Sequence, residues 1–305
     1  PKVTPEILLI RAFAVAAMML LHFILIIGPM ARLDRRWLPL LYNRRHLGVA
    51  MFLLGFIHAV LAIATYHVGG VMNPIVSVFT ADAGVTMGSF PFQAFGFGAL
   101  LILFVMAATS HDFWLANLTA PVWKALHMLV YVAYVFLIIH VAFGALQAEA
   151  HVFYALMTGS GVLLVAGLHL VSGWKQVAID QPLVGASVGG YVAVCEVAEM
   201  IENEPKGVVV AGERVAIVLY EGNKISAVSG VCQHQNGPLA EGKFVMGCLT
   251  CPWHGYQYKM EDGKSPPPFT EEIPTFGVKI RDGLVWISEK PNPAGTTETP
   301  AKIEN

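Results

Sequence analysis

Five long apolar runs occupy the first 175 residues, and short alternating runs occupy most of the rest. Spans of about 20 apolar residues can cross a bilayer, and the chain offers them at about 7–30, 46–66, 91–109, 122–146 and 152–173. The first is too long for the apolar part of a cleavable leader and is not followed by an A-x-A-like site, so it reads as a retained membrane helix. The fourth opens on Thr119-Ala120-Pro121, a cap followed by a proline in the first turn. Residues 174–190 read as a linker, polar and then Gly-rich. Beyond it, alternating and β-branched runs predict strands at 191–197, 207–210, 214–220, 224–230, 276–280 and 284–288. Glu221-Gly222-Asn223 and Arg281-Asp282-Gly283 supply hairpin turns between them. Residues 291–305 are polar and Pro-rich and read as a disordered tail. The pattern predicts a membrane all-α bundle of about five helices over 1–173, then an all-β domain over 191–290. No internal sequence repeat is evident.

Composition narrows the class. Of 305 residues, 55% are hydrophobic and 13% charged, against about 25% charged in a soluble domain, which excludes an ordinary cytosolic enzyme. The net charge of −2 offers no case for nucleic acid as a partner; the lipid bilayer is the first partner implied. Arg32, Arg35, Arg36, Arg44 and Arg45 cluster between the first two spans, whereas residues 67–90 hold no Lys or Arg. Lys124 borders the third connection and Lys175 follows the last span. The positive-inside rule then puts these basic segments and the β domain on the cytoplasmic side of a bacterial inner membrane. Four cysteines, Cys195, Cys232, Cys248 and Cys251, are too few for a disulfide scaffold.

The densest chemistry is Cys232-Gln233-His234, sixteen residues, then Cys251-Pro252-Trp253-His254. Two Cys and two His in paired short spacings can bind zinc or an iron cluster. The mixed Cys/His order separates the two, because a zinc ribbon more often pairs cysteines with cysteines. The segment CQHQNGPLAEGKFVMGCLTCPWHGYQY resembles a Rieske domain over roughly residues 190–290. The resemblance implies a [2Fe–2S] cluster with Cys232 and Cys251 on one iron and His234 and His254 on the other, and a shielding proline loop at Ser265-Pro266-Pro267-Pro268. The extra cysteines and the serine of the cytochrome bc type are absent: Gly237 or its neighbours, Trp253 and Tyr256 stand in those places. The domain therefore resembles the ferredoxin-type proteins, and fewer hydrogen bonds to sulfur imply a low potential, about −150 mV. Cys195 and Cys248 read as small buried residues.

Histidines in membrane spans are functional candidates. The second span carries His46 and His58, and the fourth His127 and His140. Steps of 12 and 13 residues rise about 18 and 20 Å, which suits two haems stacked across the bilayer, His58 with His140 outside and His46 with His127 inside. The same steps turn the side chain by about 120° and 140°, so four equivalent ligands are not guaranteed. Arg44-Arg45-His46-Leu47-Gly48 with His58, and Trp123-Lys124-Ala125-Leu126-His127 with His140, resemble the ferric reductase-like transmembrane family over about residues 35–146. That resemblance implies one or two b haems on His58, His140, His127 and His46, with His22 and His169 as other candidates for the inner ligand. Arg44 and Arg45 could serve propionates of an inner haem and Arg11 those of an outer one, or act as topology-setting charges.

No nucleotide-binding glycine loop follows the last span, and no hydrolytic triad or carboxylate pair is evident. The expected function is transmembrane electron transfer between a cytoplasmic Rieske cluster and the membrane haems, as a redox subunit of a larger system and not a complete enzyme. A cytoplasmic flavoprotein reductase or ferredoxin would be the donor, and a periplasmic protein, quinone or metal the acceptor. The alternatives are a terminal reductase of ferric iron, quinone or oxygen at the outer haem, and a subunit that anchors a Rieske domain in a larger membrane complex.

Overall fold

The computed structural model describes residues 4–80, 91–118, 120–148, 152–179, 187–234 and 236–303. The chain forms two compact units, Pro1–Met30 with Asn43–His169, and Ala31–Tyr42 with Leu170–Asn305.

The first unit is helical: α1 (Pro5–Leu33), α2 (Leu38–Tyr66), α3 (Pro74–Ser77), α4 (Phe92–Ala108), α5 (Asp112–Asn117), α6 (Ala120–Met128), α7 (Val130–Phe143), α8 (Ala145–Ala148) and α9 (Val152–Ile179). Among the described residues, four segments are long and apolar enough to cross a membrane: 5–33, 35–66, 122–148 and 152–177; Phe92–Ala108 is a shorter apolar helix. This is a membrane protein, and four spans with one shorter apolar helix roughly match the expected five. The fourth is interrupted: α6 ends at Met128 and α7 begins at Val130. Its expected cap, Thr119, lies outside the described residues, as do residues 81–90.

The bundle is packed inside and apolar outside. Met18, Leu21, Ile24 and Leu25 of α1 meet Met51 of α2, Ala99 and Leu103 of α4, Ala133 and Tyr134 of α7, and Val165 of α9. Large apolar side chains such as Leu53, Phe104, Val135 and Leu163 are exposed, as expected where lipid is the solvent. Small residues let helices approach closely in lipid: a Cβ on Gly98 of α4 would stand 3.2 Å from Phe136 of α7.

The second unit is all-β from Ser187 on. One sheet runs in the order β1 (Ser187–Val188), β2 (Tyr191–Glu196), β11 (Leu284–Ser288), β10 (Val278–Arg281). A second runs β12 (Ala301–Lys302), β5 (Lys224–Ser229), β4 (Glu213–Tyr220), β3 (Lys206–Val210), with β9 (Thr275–Phe276) also on β5. A separate three-stranded lobe holds β6 (Lys243–Val245), β7 (Cys248–Thr250) and β8 (Gln257–Lys259). Val192, Val194, Ile217, Leu219, Ile225, Phe276, Val285 and Ile287 form the core between the two larger sheets. Both expected hairpin turns have positive φ at their central residues, Glu221 and Gly222 at 50° and 74°, Asp282 and Gly283 at 51° and 72°. In the two-residue Asp282-Gly283 loop, between the paired Arg281 and Leu284, that is the type I′ pattern that matches strand twist; the Tyr220–Lys224 pair closes a three-residue loop.

Two expectations are corrected. The linker is shorter than 174–190, because α9 continues to Ile179 and Ser187 pairs with Val192 on β2; residues 180–186 lie outside the described residues. The tail is ordered to residue 303. Ala301 pairs with Ile225, Asn292 N–H donates to the Thr275 carbonyl at 2.8 Å, and Ala301 and Ile303 pack on the core. Two apolar anchors among fifteen residues suffice once β5 leaves an edge to pair with, and composition cannot show that edge.

Candidate redox sites

The cluster loops are built by turns on the three-stranded lobe. Cys232 follows β5, and its loop closes with Cys232 N–H on the Gly237 carbonyl at 2.9 Å and Asn236 N–H on the Cys232 carbonyl at 2.8 Å. Asn236 takes φ +57° to do so, a conformation that Asn tolerates better than most residues. The second loop repeats the device: Cys251 N–H donates to the Tyr256 carbonyl at 2.7 Å and Gly255 N–H to the Cys251 carbonyl at 3.1 Å, with Gly255 at φ +75°. The two loops face each other. His234 and His254 stand edge to face with ring centroids 5.2 Å apart, and their Nδ1 atoms are buried. The sulfurs of Cys232 and Cys251 are close enough to hydrogen-bond.

This arrangement is two pairs, sulfur with sulfur and imidazole with imidazole. Among the described residues no three His, Cys, Asp or Glu groups converge as a single-ion site needs, whereas a binuclear centre with two ligands per iron calls for pairs. Room for it is kept by Gly237, where a Cβ would stand 2.6 Å from Cys251 Sγ. The four residues fit a [2Fe–2S] cluster. The Trp253 and His254 amides point at Cys251 Sγ. The Cys251 thiol is pushed up by the neighbouring Cys232 sulfur and by burial; bound iron reverses that preference, because a coordinating thiol is deprotonated outright.

One residue missed by the sequence reading is Tyr258. Fully buried on β8, it places its hydroxyl 3.4 Å from Cys232 Sγ and accepts from the Gln233 N–H at 3.1 Å. Burial, then the Cys232 sulfur, hold its phenol well above the usual value, so it keeps its proton and can donate to sulfur. It adds one hydrogen bond to sulfur that the sequence reading did not count. His234 also stacks on Tyr256 at 3.9 Å and 9° between planes, and Tyr256 meets Phe269 at 4.9 Å, so aromatic rings cover the imidazole side. Cys195 and Cys248 are buried free thiols, as expected.

In the helical unit the structure brings His58 and His140 together. Their ring centroids are 6.3 Å apart at an interplanar angle of 76°. His58 Nδ1 lies 3.0 Å from the Ile10 carbonyl of α1, and His140 Nδ1 lies 3.0 Å from the Phe92 carbonyl of α4. A carbonyl only accepts, so each Nδ1 carries the proton and each Nε2 keeps its lone pair. That is the usual support of a metal-bound histidine. A metal–imidazole bond is about 2 Å, so one iron between two imidazoles sets their centroids about 6 Å apart, and the observed spacing fits. Gly96 keeps α4 out of the way: a Cβ there would sit 2.6 Å from His140 Nδ1. Arg11 follows Ile10 on α1, at the level of His58.

The inner histidines are less alike. His127 Nδ1 lies 3.0 Å from the Trp123 carbonyl, and its ring stacks on Trp123 at 3.8 Å. Its Nε2 faces Ser110 Oγ at 3.5 Å, but the Ser110 hydroxyl donates to the Met106 carbonyl at 2.7 Å, so Nε2 again keeps its lone pair. Arg44 acts electrostatically on His127, and its guanidinium would lie 3.5 Å from a Cβ on Gly28. His46 is exposed on α2, on a face turned away from that of His58; Arg45 is half-buried beside it. The two alternatives are otherwise engaged. His169 bonds at both nitrogens, Nδ1 to the Val165 carbonyl at 2.8 Å and Nε2 to Tyr131 Oη at 3.0 Å. His22 is buried edge-on to Tyr134 and lies directly against the α9 backbone at Gly161.

Residues 12–138 match the family described as "Ferric reductase like transmembrane component", and residues 190–277 match the Rieske [2Fe-2S] domain. Cholesterol 7-desaturase nvd of Xenopus laevis is 36% identical over 84 residues, 25% of this chain and 18% of its own length. The oxygenase component of dicamba O-demethylase from Stenotrophomonas maltophilia is 28% identical over 104 residues, 32% of this chain and 30% of its own. The solved ferredoxin of Sphingomonas yanoikuyae B1 is 27% identical with a TM-score of 0.30, covering 32% of this chain and 98% of the ferredoxin. The chain thus spans less than a third of the curated relatives named here. The two family matches and the two curated relatives support a redox, electron-transferring role. The chain is a ferric reductase-like transmembrane domain followed by a Rieske [2Fe–2S] domain.

Proposed function

We propose that this chain carries electrons across a bacterial inner membrane, between a cytoplasmic [2Fe–2S] cluster held by Cys232, His234, Cys251 and His254 and b haem held in the helical bundle. The observation that carries the membrane half is the pair of imidazoles at 6.3 Å, each fixed through Nδ1 on a backbone carbonyl. Bound in these places, the cluster and the haem each accept and release single electrons.

The work of the protein is then positional. His58 and His140 offer Nε2 toward an outer haem, with Arg11 at hand for its propionates. His127 offers Nε2 toward an inner haem beside Arg44 and Arg45. His46 is the α2 histidine at that depth, and its exposed side chain must swing toward α6 to complete the inner pair. A cytoplasmic flavoprotein reductase or ferredoxin supplies the electrons, and a periplasmic protein, quinone or metal takes them, with this chain as one redox subunit of a larger system.

The test is the cofactor content of the purified full chain: haem b by pyridine haemochrome, and the cluster by EPR after reduction. Two haems and one cluster per chain are expected. One haem would restrict the path to His58 and His140 and remove His127 and His46 from it. Chain without haem would overturn the membrane half.

A further inference from the structure

The segment that follows β11 is fastened to both feet of one loop of the β domain. The loop spans residues 264–272, between β8 and β9. Its first foot, residues 259–263, is a turn closed by Gly263 N–H on the Lys259 carbonyl at 3.0 Å; its second is residues 273–275. On the first foot, Glu298 N–H donates to the Glu261 carbonyl at 2.8 Å. On the second, Asn292 N–H donates to the Thr275 carbonyl at 2.8 Å and Gly295 N–H to the Ile273 carbonyl at 3.4 Å. Side chains join these contacts. Asn292 Nδ2 donates to Thr275 Oγ1 at 3.1 Å and to Glu298 Oε2 at 2.8 Å. The Thr275 hydroxyl donates in turn to the Thr296 carbonyl at 2.9 Å. Thr275 is fully buried on β9, and both bonds of its hydroxyl go to this segment.

The loop itself is poor in backbone donors, because Pro266, Pro267 and Pro268 carry no N–H. Its neck is closed by Ser265 N–H on the Glu271 carbonyl at 2.9 Å and by Lys264 paired with Glu272 at 3.8 Å. Gly295, at φ +75°, passes directly against that same Glu272 carboxylate. What the loop carries is Phe269, which meets Tyr256 at 4.9 Å, and Tyr256 stacks on His234 at 3.9 Å. A chain of contacts thus runs from Asn292 through the loop to the imidazole side of the cluster site. Tyr258 stands outside that chain, because β7 holds it opposite Leu249.

We infer that residues 292–298 are a strap that holds the loop 264–272 over the imidazole side of the cluster and keeps water from it. Asn292 and Thr275 are its positioning residues; they act through Phe269 and Tyr256 and touch none of the four cluster residues. The inference rests on the reading of Cys232, His234, Cys251 and His254 as cluster ligands. Reduction adds negative charge to a cluster, water stabilises that charge, and exposure is one of the levers on its potential. Loosening the strap therefore raises the potential. Loss of the Tyr258 hydroxyl lowers it, so the two effects differ in sign and in route.

Two measurements on the purified full chain test the strap. Thr275→Val removes the buried hydroxyl at nearly constant volume, and Thr275→Ser keeps it. Amide hydrogen exchange of peptides covering residues 264–273 is expected to accelerate several-fold in Thr275→Val and to match the wild type in Thr275→Ser. In the reduced cluster, the deuterium modulation of the electron spin echo after transfer to D2O is expected to deepen several-fold in Thr275→Val. Its midpoint potential rises, and rises equally when Tyr258→Phe is also present. Should Thr275→Val fail to fold, Asn292→Ala carries the same test from the exposed side of the strap. Loop exchange equal to that of the wild type overturns the strap. Faster exchange with unchanged deuterium modulation and potential overturns its role at the cluster. A wild-type chain without a cluster signal overturns the cluster reading instead, and loop exchange then still decides whether the strap holds the loop.

Discussion

Cys232 and His234 are two residues apart, and the four cluster residues lie within 23 residues of one another, on loops closed by their own backbone hydrogen bonds. His58 and His140 are 82 residues apart, and each is held by the carbonyl of a different helix. The cluster lobe therefore specifies its ligands locally: a left-handed Asn236 here, a Gly255 there, and the side chains converge. The helical pair exists only when four helices are packed, because α1 and α4 supply the carbonyls while α2 and α7 supply the imidazoles. One site is robust to events elsewhere in the chain, and the other senses the whole bundle.

The largest expected effect separates the two outright. Cys232→Ser or His254→Ala removes the cluster EPR signal and leaves haem b per chain unchanged, whereas His140→Ala removes haem and leaves the cluster signal intact. Loss of both signals in either variant would break the comparison. Next in size is a substitution that never touches a ligand. Gly96→Ala drives a methyl into the His140 ring, and overpacking of this kind costs about 1–3 kcal/mol, or roughly a tenfold loss of haem affinity. Gly167→Ala, with nothing within 4 Å, serves as the silent control in the same haem titration.

A smaller effect sharpens the cluster side. Tyr258→Phe deletes the hydroxyl beside Cys232 Sγ. A hydrogen bond worth about 1 kcal/mol, favouring the more negative reduced cluster, corresponds to about 40 mV for one electron. The midpoint potential should fall by that amount in an EPR-monitored titration, with haem content unchanged. Smallest of all, Cys195 and Cys248 should alkylate slowly in the folded chain at pH 8. Burial raises both thiols, so their protonated, unreactive form persists to higher pH than for a free cysteine. Unfolding should expose both to rapid labelling.

Legibility followed the same divide. The two cysteines and two histidines that the structure brings together were readable because C-x-H and C-x-x-H are local patterns whose chemistry depends on spacing. The strands and both hairpin turns were readable for the same reason, since Gly222 and Gly283 mark positions needing positive φ. Tyr258 was not, because its role depends on β8 returning beneath the first loop. The pairing of His58 with His140 could be argued from depth, but not the carbonyls that orient them. His22 and His169 show the converse limit. Sequence left them as other candidates for the inner ligand, and only packing reveals that one is walled in by Gly161 and the other bonded at both nitrogens. The tail failed for want of a visible partner, since Ala301 and Ile303 signal nothing until β5 is in place.

The bonds from His58 to Ile10 and from His140 to Phe92 each span 48 residues and measure 3.0 Å. In α1–α2 and in α4–α7 alike, an imidazole is thus pinned by a carbonyl of the other helix, so a slide of α1 or α4 along its axis turns the ring that it holds.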